Sequence, residues 1–300
     1  MGKSAVALRL AELLGGEIIS VDSMQVYRGL DIGTAKPAPT ERQRILHHLI
    51  DVADLAESFD AARFVRLAKV AVEEVQARGK IPIFCGGSGL YFRAFIEGLG
   101  EAPPADTIVR AGLEKIPLPA LLAELEKSDP VTFARIDIQN PRRVVRALEV
   151  IRLTGKPFSA QRANWAADAA SAPSGGAGLF FVLTRATDDL RRRIDVRAEE
   201  MFRRGLVAET ENLLVRGLEQ NRTAMQAIGY RQAVEHLRGE RSLRETIELV
   251  KVRTRQFAKR QSTWFRRQSR AEWISLDAAT TAEAAAARLA ETCRAARNST

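Results

Sequence analysis

A strand–helix–strand pattern near the start of the chain does most to limit its fold. Two nearly continuous apolar runs, EIISVDS at 17–23 and IPIFCGG at 81–87, flank the segment FDAARFVRLAKVAVEEVQARG at 59–79. Apolar runs of this length are typical of strands buried on both faces of a parallel sheet. The segment between them has apolar residues at helical spacing, and Gly79 stands where a helix would end. The pattern therefore predicts a βαβ unit in an α/β core, with ligands at the carboxyl ends of the strands.

Two more β-rich runs, LFFVLT at 179–184 and EWISLD at 272–277, extend the predicted core. The stretch between 103 and 177 differs, because it has helical patterns and no strand signal. We therefore predict a core of residues 1–104 and 178–300 that carries a helical insertion of residues 105–177. The predicted helices of the insertion are 106–126, 129–136 and 141–153, followed by the loop-like AADAASAPSGGAG at 166–178. Those after the third strand are 188–217, 222–238, 242–269 and 281–297.

The charge of the chain indicates an anionic partner, with nucleic acid first. The net charge is +9, and the segment KVRTRQFAKRQSTWFRRQSR at 251–270 holds eight basic residues and no acidic ones. Basic side chains bind phosphates and aromatic ones can stack on unpaired bases, although solubility alone would also explain such a surplus. We expect Phe257, Trp264 and Phe265 to pack on the core, with Lys259, Arg260, Arg266 and Arg267 facing solvent or RNA.

Cysteine and histidine are too few for several kinds of site. Cys85 and Cys293 are the only cysteines, which makes neither a disulfide framework nor a zinc site. His47 and His48 are adjacent and point apart on any regular element, so with His236 they argue against a histidine metal site and a serine–histidine triad. No apolar window approaches the length of a membrane span. These features predict a cytoplasmic protein with reduced thiols.

The tripeptide Gly2-Lys3-Ser4 matches the second half of a phosphate-binding loop. In the complete motif GxxxxGK[ST], backbone amides and Lys hold the phosphates, and the Ser hydroxyl binds Mg²⁺. A good helix, AVALRLAELLGG, follows Ser4, but the strand and glycine of the first half are not in the sequence. A tripeptide alone is weak evidence, so its meaning depends on the rest of the chain.

Two strand ends carry side chains suited to catalysis. Asp22 follows the first strand in SVDSMQVYRGLDIGTAKP, and could act as a general base, as an outer ligand of Mg²⁺ or simply as a turn residue. In FCGGSGLYFRAF, Gly86, Gly87 and Gly89 would let a ligand approach the backbone, and Ser88 offers a hydroxyl. A tight turn without a ligand is the alternative for this second stretch.

A second basic segment, NPRRVVRALEVIRLTGKP at 140–157, begins a predicted helix. Pro141 is expected as the first helical residue after an Asn140 cap. Arg142, Arg143 and Arg146 then lie on the first turns, where cations oppose the helix dipole. An anionic partner would offset that cost, and a solvated face is the alternative.

Taken together, seven segments resemble the tRNA dimethylallyltransferases, also called tRNA isopentenyltransferases. They are, in family order, GKS, GEIISVDSMQVYRGLDIGTAKP, HHLID, GGSGLYFRAFIEGL, NPRRVVRALEVIRLTGKP, AIGYRQ and TRQFAKRQSTWFR. The resemblance implies a P-loop α/β core with a helical insertion that grips the anticodon stem-loop of tRNA. It also implies transfer of a dimethylallyl group from dimethylallyl diphosphate to N6 of the adenine on the 3′ side of the anticodon. The implied cofactor is Mg²⁺, and nothing requires more than a monomer.

The resemblance also implies a role for each matched residue. Gly2, Lys3 and Ser4 would bind the diphosphate, with Ser4 ligating Mg²⁺ and Lys3 neutralising the leaving group. Asp22 would be the general base, and Ser88 stands where the family usually has Thr. The residues implied in tRNA binding are Asp22, Ser23, Met24, Gln25, Ser88, Arg110, Arg142, Arg143, Val144, Val145, Arg146, Gln226, Ala227, Ile228, Gly229, Tyr230 and Arg231.

One departure from the family keeps other interpretations open. The family's first strand and the GPTA before SGKS are missing, and we expect a wrongly assigned start or a truncation rather than a working protein without them. A non-catalytic RNA-binding remnant is one alternative. A P-loop small-molecule kinase would explain GKS and the core, but not the insertion or the basic segment. A prenyltransferase acting on free adenine nucleotides is the third.

Overall fold

The computed structural model describes residues 2–161, 178–268 and 271–298. The chain divides into two compact units, one formed by Met1–Phe92 with Ala177–Thr300 and the other by Arg93–Gly176. The first unit contains every strand of the described residues, and the second contains helices only. In the described part of the chain no helix combines the length and apolarity needed to cross a membrane.

The strands of the first unit are all paired in parallel. Strands β1 (Gly16–Val21), β2 (His47–His48) and β3 (Ile81–Gly86) form one sheet in the order β2-β1-β3. Strands β4 (Phe181–Arg185) and β5 (Glu272–Leu276) form a second, two-stranded sheet. The four predicted strands are therefore confirmed. The sequence pattern missed β2, because a two-residue histidine strand has no apolar run.

Fourteen helices lie in the described residues. The first unit begins with α1 (Lys3–Leu14), α2 (Pro39–Arg44) and α3 (Ala61–Ala77), and α4 (Gly89–Glu97) runs from it into the second unit. The second unit holds α5 (Thr107–Leu113), α6 (Leu118–Ser128), α7 (Pro130–Phe133), α8 (Pro141–Thr154) and α9 (Phe158–Gln161). The first unit resumes with α10 (Thr187–Arg203), α11 (Leu206–Val215), α12 (Tyr230–Leu237), α13 (Leu243–Gln268) and α14 (Ala282–Asn298).

Local residue chemistry explains where several helices begin and end. Gly15 and Gly79 follow α1 and α3 with φ of 64° and 69°, the left-handed region that only glycine enters at low cost. The predicted helix 188–217 is wrong as a single element, because Gly205 interrupts it with φ of 99°. Helix α8 starts at Pro141 as expected, but the Asn140 side chain makes no capping hydrogen bond.

Two more predicted helices are shorter or broken in the structure. The predicted helix 106–126 divides into α5 and α6 around Pro117, which precedes the first residue of α6. The predicted helix 222–238 becomes a 3₁₀ turn, Ala224–Gln226, followed by α12. Nearly all of the predicted loop 166–178 lies outside the described residues.

Helix α1 is buried on two sides and anchors the first unit. Val6 and Leu10 pack with Ile274 and Leu276 of β5 and with the Ala-rich helix α14. Its other face, including Leu8, packs on Ile18 of β1 and its neighbours. Only Gly15 separates α1 from β1, so the chain reverses there and the start of α1 lies at the carboxyl end of β1. This reversal brings Lys3 to the edge of the sheet that Asp22 follows.

The second unit has its own apolar core. Leu121 and Leu125 of α6 pack against Val144 and Leu148 of α8, all nearly or completely buried. Partly buried apolar side chains from α5 and α9 surround this cluster. The amphipathic patterns predicted for the insertion therefore reflect burial between its own helices.

A buried carboxylate pairs with three basic side chains at the amino end of β1. Glu17 is 1% exposed and receives hydrogen bonds from Arg78 Nη2 (2.8 Å) and Arg78 Nε (3.1 Å). His48 Nε2 lies 2.7 Å and Lys80 Nζ 3.2 Å from the same carboxylate. These partners, Arg78 foremost, lower the pKa of Glu17 from 4.5 to about 2, against the opposing effect of burial. The charged form of Glu17 is therefore favoured by folding.

We expect this cluster to make stability depend on acid pH. Because the folded pKa is depressed, the contribution of Glu17 is fully present above pH 4.5 and is lost as the pH falls towards about 2. That contribution is about 3 kcal/mol, as an order of magnitude. In urea unfolding, Glu17→Gln should lose less stability between pH 7 and pH 3 than the wild-type protein does. The variant is already less stable than wild type at pH 7. Glu73→Gln, at an exposed position on α3, is the control, and equal pH slopes for Glu17→Gln and wild type would contradict the assignment.

Candidate functional site

Hydrogen bonds connect the carboxyl ends of β1 and β3, which lie side by side at one edge of the sheet. Val21 of β1 lies in register with Gly86 of β3. The carbonyl oxygen of Val21 accepts from both Gly87 N (3.1 Å) and Ser88 N (3.2 Å). The turn after β3 is therefore bound to the end of β1, and the Ser88 side chain is brought to the segment that follows β1.

Asp22 and Ser88 meet at this edge. Ser88 Oγ accepts a hydrogen bond from Ser23 N at 3.1 Å. Asp22 Oδ1 accepts from Met24 N (2.9 Å) and Gln25 N (3.3 Å), which makes it a turn residue. Its other carboxylate oxygen makes no hydrogen bond to the described residues. A role in the turn is thus compatible with a role in chemistry, since one oxygen holds the turn and the other is left available.

The side-chain amide of Gln25 locks the Asp22 segment to the next loop. Gln25 Oε1 accepts from Ser20 Oγ at 3.0 Å. Gln25 Nε2 donates to the carbonyl oxygens of Thr34 (3.1 Å) and Ala35 (3.3 Å). The residues after Asp22 therefore keep a defined shape even though they form no helix or strand.

Tyr230 holds that same loop from the other side. Its ring is buried, and its hydroxyl donates to Glu209 and accepts from Gly33 N (3.1 Å). Glu209 also accepts from Asp31 N (3.2 Å) and Ile32 N (3.0 Å). Burial, with the nearby Glu209 charge, raises the pKa of Tyr230 above its usual value. Tyr230 is therefore a neutral donor that fixes the loop.

Lys3 and Ser4 lie at the start of α1, at the same end of the first unit as Asp22. Cys85 Sγ lies 3.8 Å from the carbonyl oxygen of Lys3 and is placed to donate to it. Burial raises the pKa of the Cys85 thiol, with Lys3 opposing the increase and Asp22 adding to it. The charges of Lys3 and Asp22 therefore both act at Cys85, next to this edge of the sheet. The structure thus gathers three of the predicted site segments.

A cavity of about 330 Å³ opens at the start of α1. Gly2, Arg185 and Arg193 are among its lining residues. The Arg185 side chain is 6% exposed, and its Nη1 donates to Asp189 (3.2 Å) and to the carbonyl oxygen of Asp277 (2.6 Å). Helix N-termini and guanidinium groups both favour anions, so this cavity suits a phosphate group. No local sequence pattern links these two arginines to Gly2, because they lie about 180–190 residues away from it.

Arg197 of α10 is a further cation that sequence analysis missed. Burial lowers the pKa of its guanidinium, and the Asp22 charge opposes that decrease. It makes no ion pair or hydrogen bond with the described residues. Arg197 nevertheless has an exposed side chain, no close partner neutralises it, and its charge interacts with that of Asp22, so it is suited to bind an anionic ligand. Helical spacing alone could not distinguish Arg197 from the other arginines of α10.

The residues at this edge would hold a divalent cation only with help from a ligand. Among the described residues no three or more His, Cys, Asp or Glu side chains are grouped closely enough to hold a metal ion. Ser4 is exposed at the first turn of α1, and Asp22 has one available oxygen. This donor set fits Mg²⁺, which usually combines one or two protein ligands with phosphate oxygens and water.

Some of the predicted RNA-contact residues have exposed polar side chains, and others are buried in the protein. In the second unit Arg142 and Arg143 are exposed, and Arg110 and Arg146 are partly exposed. Val144 and Val145 are buried, so their side chains pack in the core and the prediction for this segment rests on the arginines. In the first unit the exposed members are Gln226 and Arg231, and the buried ones are Ala227, Gly229 and Tyr230.

The basic helix α13 packs two of its three aromatic residues inward. Gln261 Nε2 donates to the carbonyl oxygen of Gly87 at 3.0 Å. The Trp264 ring lies so close to Gly89 that an added Cβ would be 2.3 Å from it. Phe265 is buried, as expected, but Phe257 is 43% exposed, so the prediction that it packs on the core is wrong. Lys259, Arg260, Arg266 and Arg267 are exposed, as predicted.

The family model for IPP transferases matches residues 25–268. The chain belongs to the IPP transferase family. The tRNA dimethylallyltransferase of Corynebacterium diphtheriae is 45% identical over 277 residues, which cover 91% of this chain and 90% of the relative. This resemblance agrees with the family suggested by the seven sequence segments.

Solved structures extend the comparison to the fold. The tRNA isopentenylpyrophosphate transferase of Bacillus halodurans is 37% identical, with a TM-score of 0.70 over 98% of this chain and 92% of that one. A eukaryotic dimethylallyltransferase acting on tRNA is 29% identical, with a TM-score of 0.72 over 92% of this chain and 71% of that one. The predicted fold class, an α/β core of the P-loop type, is therefore confirmed for this IPP transferase.

The contact between Gly33 and Tyr230 yields a stability prediction. A Cβ on Gly33 would lie 2.4 Å from Tyr230 Cε2, and the ring is buried and held by hydrogen bonds. We expect Gly33→Ala to destabilise the protein by about 1–3 kcal/mol in urea unfolding. Gly112→Ala is the control, because nothing lies within 4 Å of its added Cβ in α5, and a gain of about 0.5–1 kcal/mol is expected. Equal stability of the two variants would show that the loop is not held as described.

Proposed function

We propose that this IPP transferase moves a dimethylallyl group from dimethylallyl diphosphate to N6 of the adenine 3′-adjacent to the anticodon of tRNA. The observation that carries the proposal is that Asp22, with one carboxylate oxygen available, lies at the strand edge that carries Ser88 and interacts by charge with Arg197. Such an edge offers a proton acceptor and anion-binding groups within one site. The similarity to curated tRNA dimethylallyltransferases supports the same reaction.

The start of α1 would receive the diphosphate. The backbone amides of its first turn, the Lys3 ammonium group and the Ser4 hydroxyl all favour a bound anion. Arg197 would add a second cation from α10. Negative charge grows on the diphosphate as the allylic C–O bond breaks, so cations held here stabilise the transition state more than the ground state.

Asp22 would take the proton from N6. The exocyclic amine of adenine is a weak nucleophile, and its proton becomes acidic only as the new C–N bond forms. A carboxylate whose other oxygen is fixed by Met24 N and Gln25 N presents its available oxygen in a defined direction. Ser88 would support the same nucleotide through its hydroxyl.

Mg²⁺ is the metal we propose for this site, with Ser4 as its protein ligand. When bound, it would neutralise charge on the diphosphate. We also propose that the protein acts as a monomer in the cytoplasm.

The tRNA would be recognised by exposed cations of both units. We propose residues 105–177 as the segment that grips the anticodon stem-loop, with Arg110, Arg142, Arg143 and Arg146 as its contacts. In the first unit, Ser23, Met24 and Gln25 are proposed next to the substrate nucleotide, and the segment from Gln226 to Arg231 is proposed as a further tRNA contact. The target adenine has to leave its stack to reach Asp22, and the contacts elsewhere on the RNA would offset that cost.

One assay distinguishes this function from its alternatives. The protein, and a form extended upstream by the strand and GPTA of the family's loop, are each incubated with dimethylallyl diphosphate, Mg²⁺ and an anticodon stem-loop. Gain of the prenyl mass on adenosine supports the proposal. RNA binding without transfer in both forms would favour the non-catalytic remnant, and ATP turnover on a small acceptor without RNA would favour a kinase. Preference for AMP over the stem-loop would indicate a prenyltransferase of free nucleotides.

Loss of the Asp22 carboxylate should slow the chemical step. We expect Asp22→Asn to reduce kcat by roughly 10²–10⁴-fold, because the amide keeps the turn but cannot accept the proton. Single-turnover transfer with saturating stem-loop is the measurement. Asp188→Asn is the control, since that carboxylate is 91% exposed on α10. Wild-type kcat in Asp22→Asn would exclude Asp22 as the base.

Loss of the Arg197 cation should weaken use of the prenyl donor. We expect Arg197→Gln to lower kcat/KM for dimethylallyl diphosphate by about tenfold or more, without changing binding of the stem-loop. Arg192→Gln, at an exposed position of the same helix, is the matched control. A change in RNA affinity with unchanged donor kinetics would contradict this role.

A further inference from the structure

A buried carboxylate in the second unit holds two arginines at the surface. Glu149 of α8 is 0% exposed. Its Oε2 accepts from Arg110 Nη2 and from Arg146 Nη1, each at 2.7 Å. We name Glu149 with these two arginines the Glu149 clamp. The arginines come from α5 and α8, so the clamp also ties two helices together.

The remaining contacts of the clamp fix its orientation. Glu149 Oε1 accepts from Asp106 N at 2.9 Å, and the Nη2 group of Arg146 donates to the carbonyl oxygen of Pro103. The Asp106 carboxylate accepts from Ile108 N and Val109 N and so caps α5. Both oxygens of Glu149 therefore accept hydrogen bonds within the second unit.

The clamp has more positive charge than its buried carboxylate requires. A buried carboxylate is stabilised by one well-placed cation, but here two guanidinium groups share one oxygen. Arg110 is 39% exposed and Arg146 is 30% exposed. The first turn of α8 has no acidic residue, and Arg142 and Arg143 are exposed there. The surface above Glu149 is thus a cluster of like charges that an external anion would stabilise.

The two arginines also keep unused donors. Nε and Nη1 of Arg110 and Nε of Arg146 make no hydrogen bond to the described residues. A free arginine loses rotamer freedom when it binds a phosphate, and an arginine already held by Glu149 loses less. Pre-ordering by a buried carboxylate therefore increases affinity without a direct contact between that carboxylate and the RNA.

We propose that Glu149 is a positioning residue for RNA binding, which orients Arg110 and Arg146 towards the phosphates of the stem-loop. The proposal rests on the function proposed above, because it takes the anion to be tRNA. Glu149 itself touches no substrate, and it acts only through the two arginines.

The test compares RNA affinities of variants by fluorescence anisotropy with a labelled anticodon stem-loop at fixed salt. We expect Glu149→Gln to weaken binding about tenfold, because the amide keeps the bond from Asp106 N but no longer orders two cations. The kcat at saturating RNA should not change. Glu124→Gln is the matched control, since Glu124 pairs with Arg152 of the same helix α8 and should leave affinity unchanged.

A double-mutant cycle separates positioning from a general structural effect. If Glu149 acts through Arg110, then Glu149→Gln should weaken binding less in the Arg110→Met background than in wild type. Additive effects would overturn the proposal, as would wild-type affinity in a folded Glu149→Gln protein. Arg110→Met leaves Glu149 paired with Arg146, so it tests the clamp even if Glu149→Gln does not fold. Wild-type affinity in that variant would also overturn the proposal.

Failure of the clamp and failure of the proposed function give different results. Prenyl transfer by the wild-type protein is measured first. If the wild-type protein transfers the prenyl group and Glu149→Gln binds RNA with wild-type affinity, only the proposal for Glu149 is overturned. If the wild-type protein binds RNA but does not transfer the prenyl group, the proposed reaction is overturned. The affinity test of the Glu149 clamp remains valid in that case.

Discussion

The parallel pairing of β1 with β3 is the interaction on which the candidate site depends. With Val21 opposite Gly86, both strands end at the same level, and the Val21 carbonyl oxygen binds the turn that carries Ser88. The one-residue reversal at Gly15 then brings the start of α1 to this edge. Asp22, Ser88 and Lys3 are remote in sequence, and this register is what makes them neighbours. A shift of one residue would turn every side chain of β1 to the opposite face and separate the groups.

Buried carboxylates organise the positive charge of this protein. Glu17 gathers Arg78, Lys80 and His48 at the amino end of β1. Glu149 gathers two arginines of the second unit in a similar way. The two clusters differ in where their surplus positive charge lies. Around Glu17 it lies opposite the candidate site and serves stability, and around Glu149 it lies beside the exposed arginines of α8. Net charge alone, +9, would not distinguish these two uses.

Much of the fold was predictable, and the errors have identifiable causes. Nearly continuous apolar runs predicted three strands correctly, and the β-rich run at 272–277 predicted the fourth. The strand at His47 was missed because its two residues form no apolar run. The helix predicted over 188–217 was too long because a single glycine, Gly205, ends α10 by its left-handed backbone. Val144 and Val145 were grouped with RNA-contact residues by their place in a motif, and only burial shows that they belong to the core.

The sequence by itself determined the α/β class, the family and the segments that bear Lys3, Asp22 and Ser88, because these depend on local patterns of apolarity, glycine and charge. Only the tertiary structure decided which arginines join them. Arg185, Arg193 and Arg197 come from elements about 180 residues away from Lys3. It also decided that Tyr230 is a buried support for the loop at Gly33 rather than an exposed contact. The physical reason is that burial and hydrogen bonding depend on which distant segments pack together, and no pattern within a single segment records that.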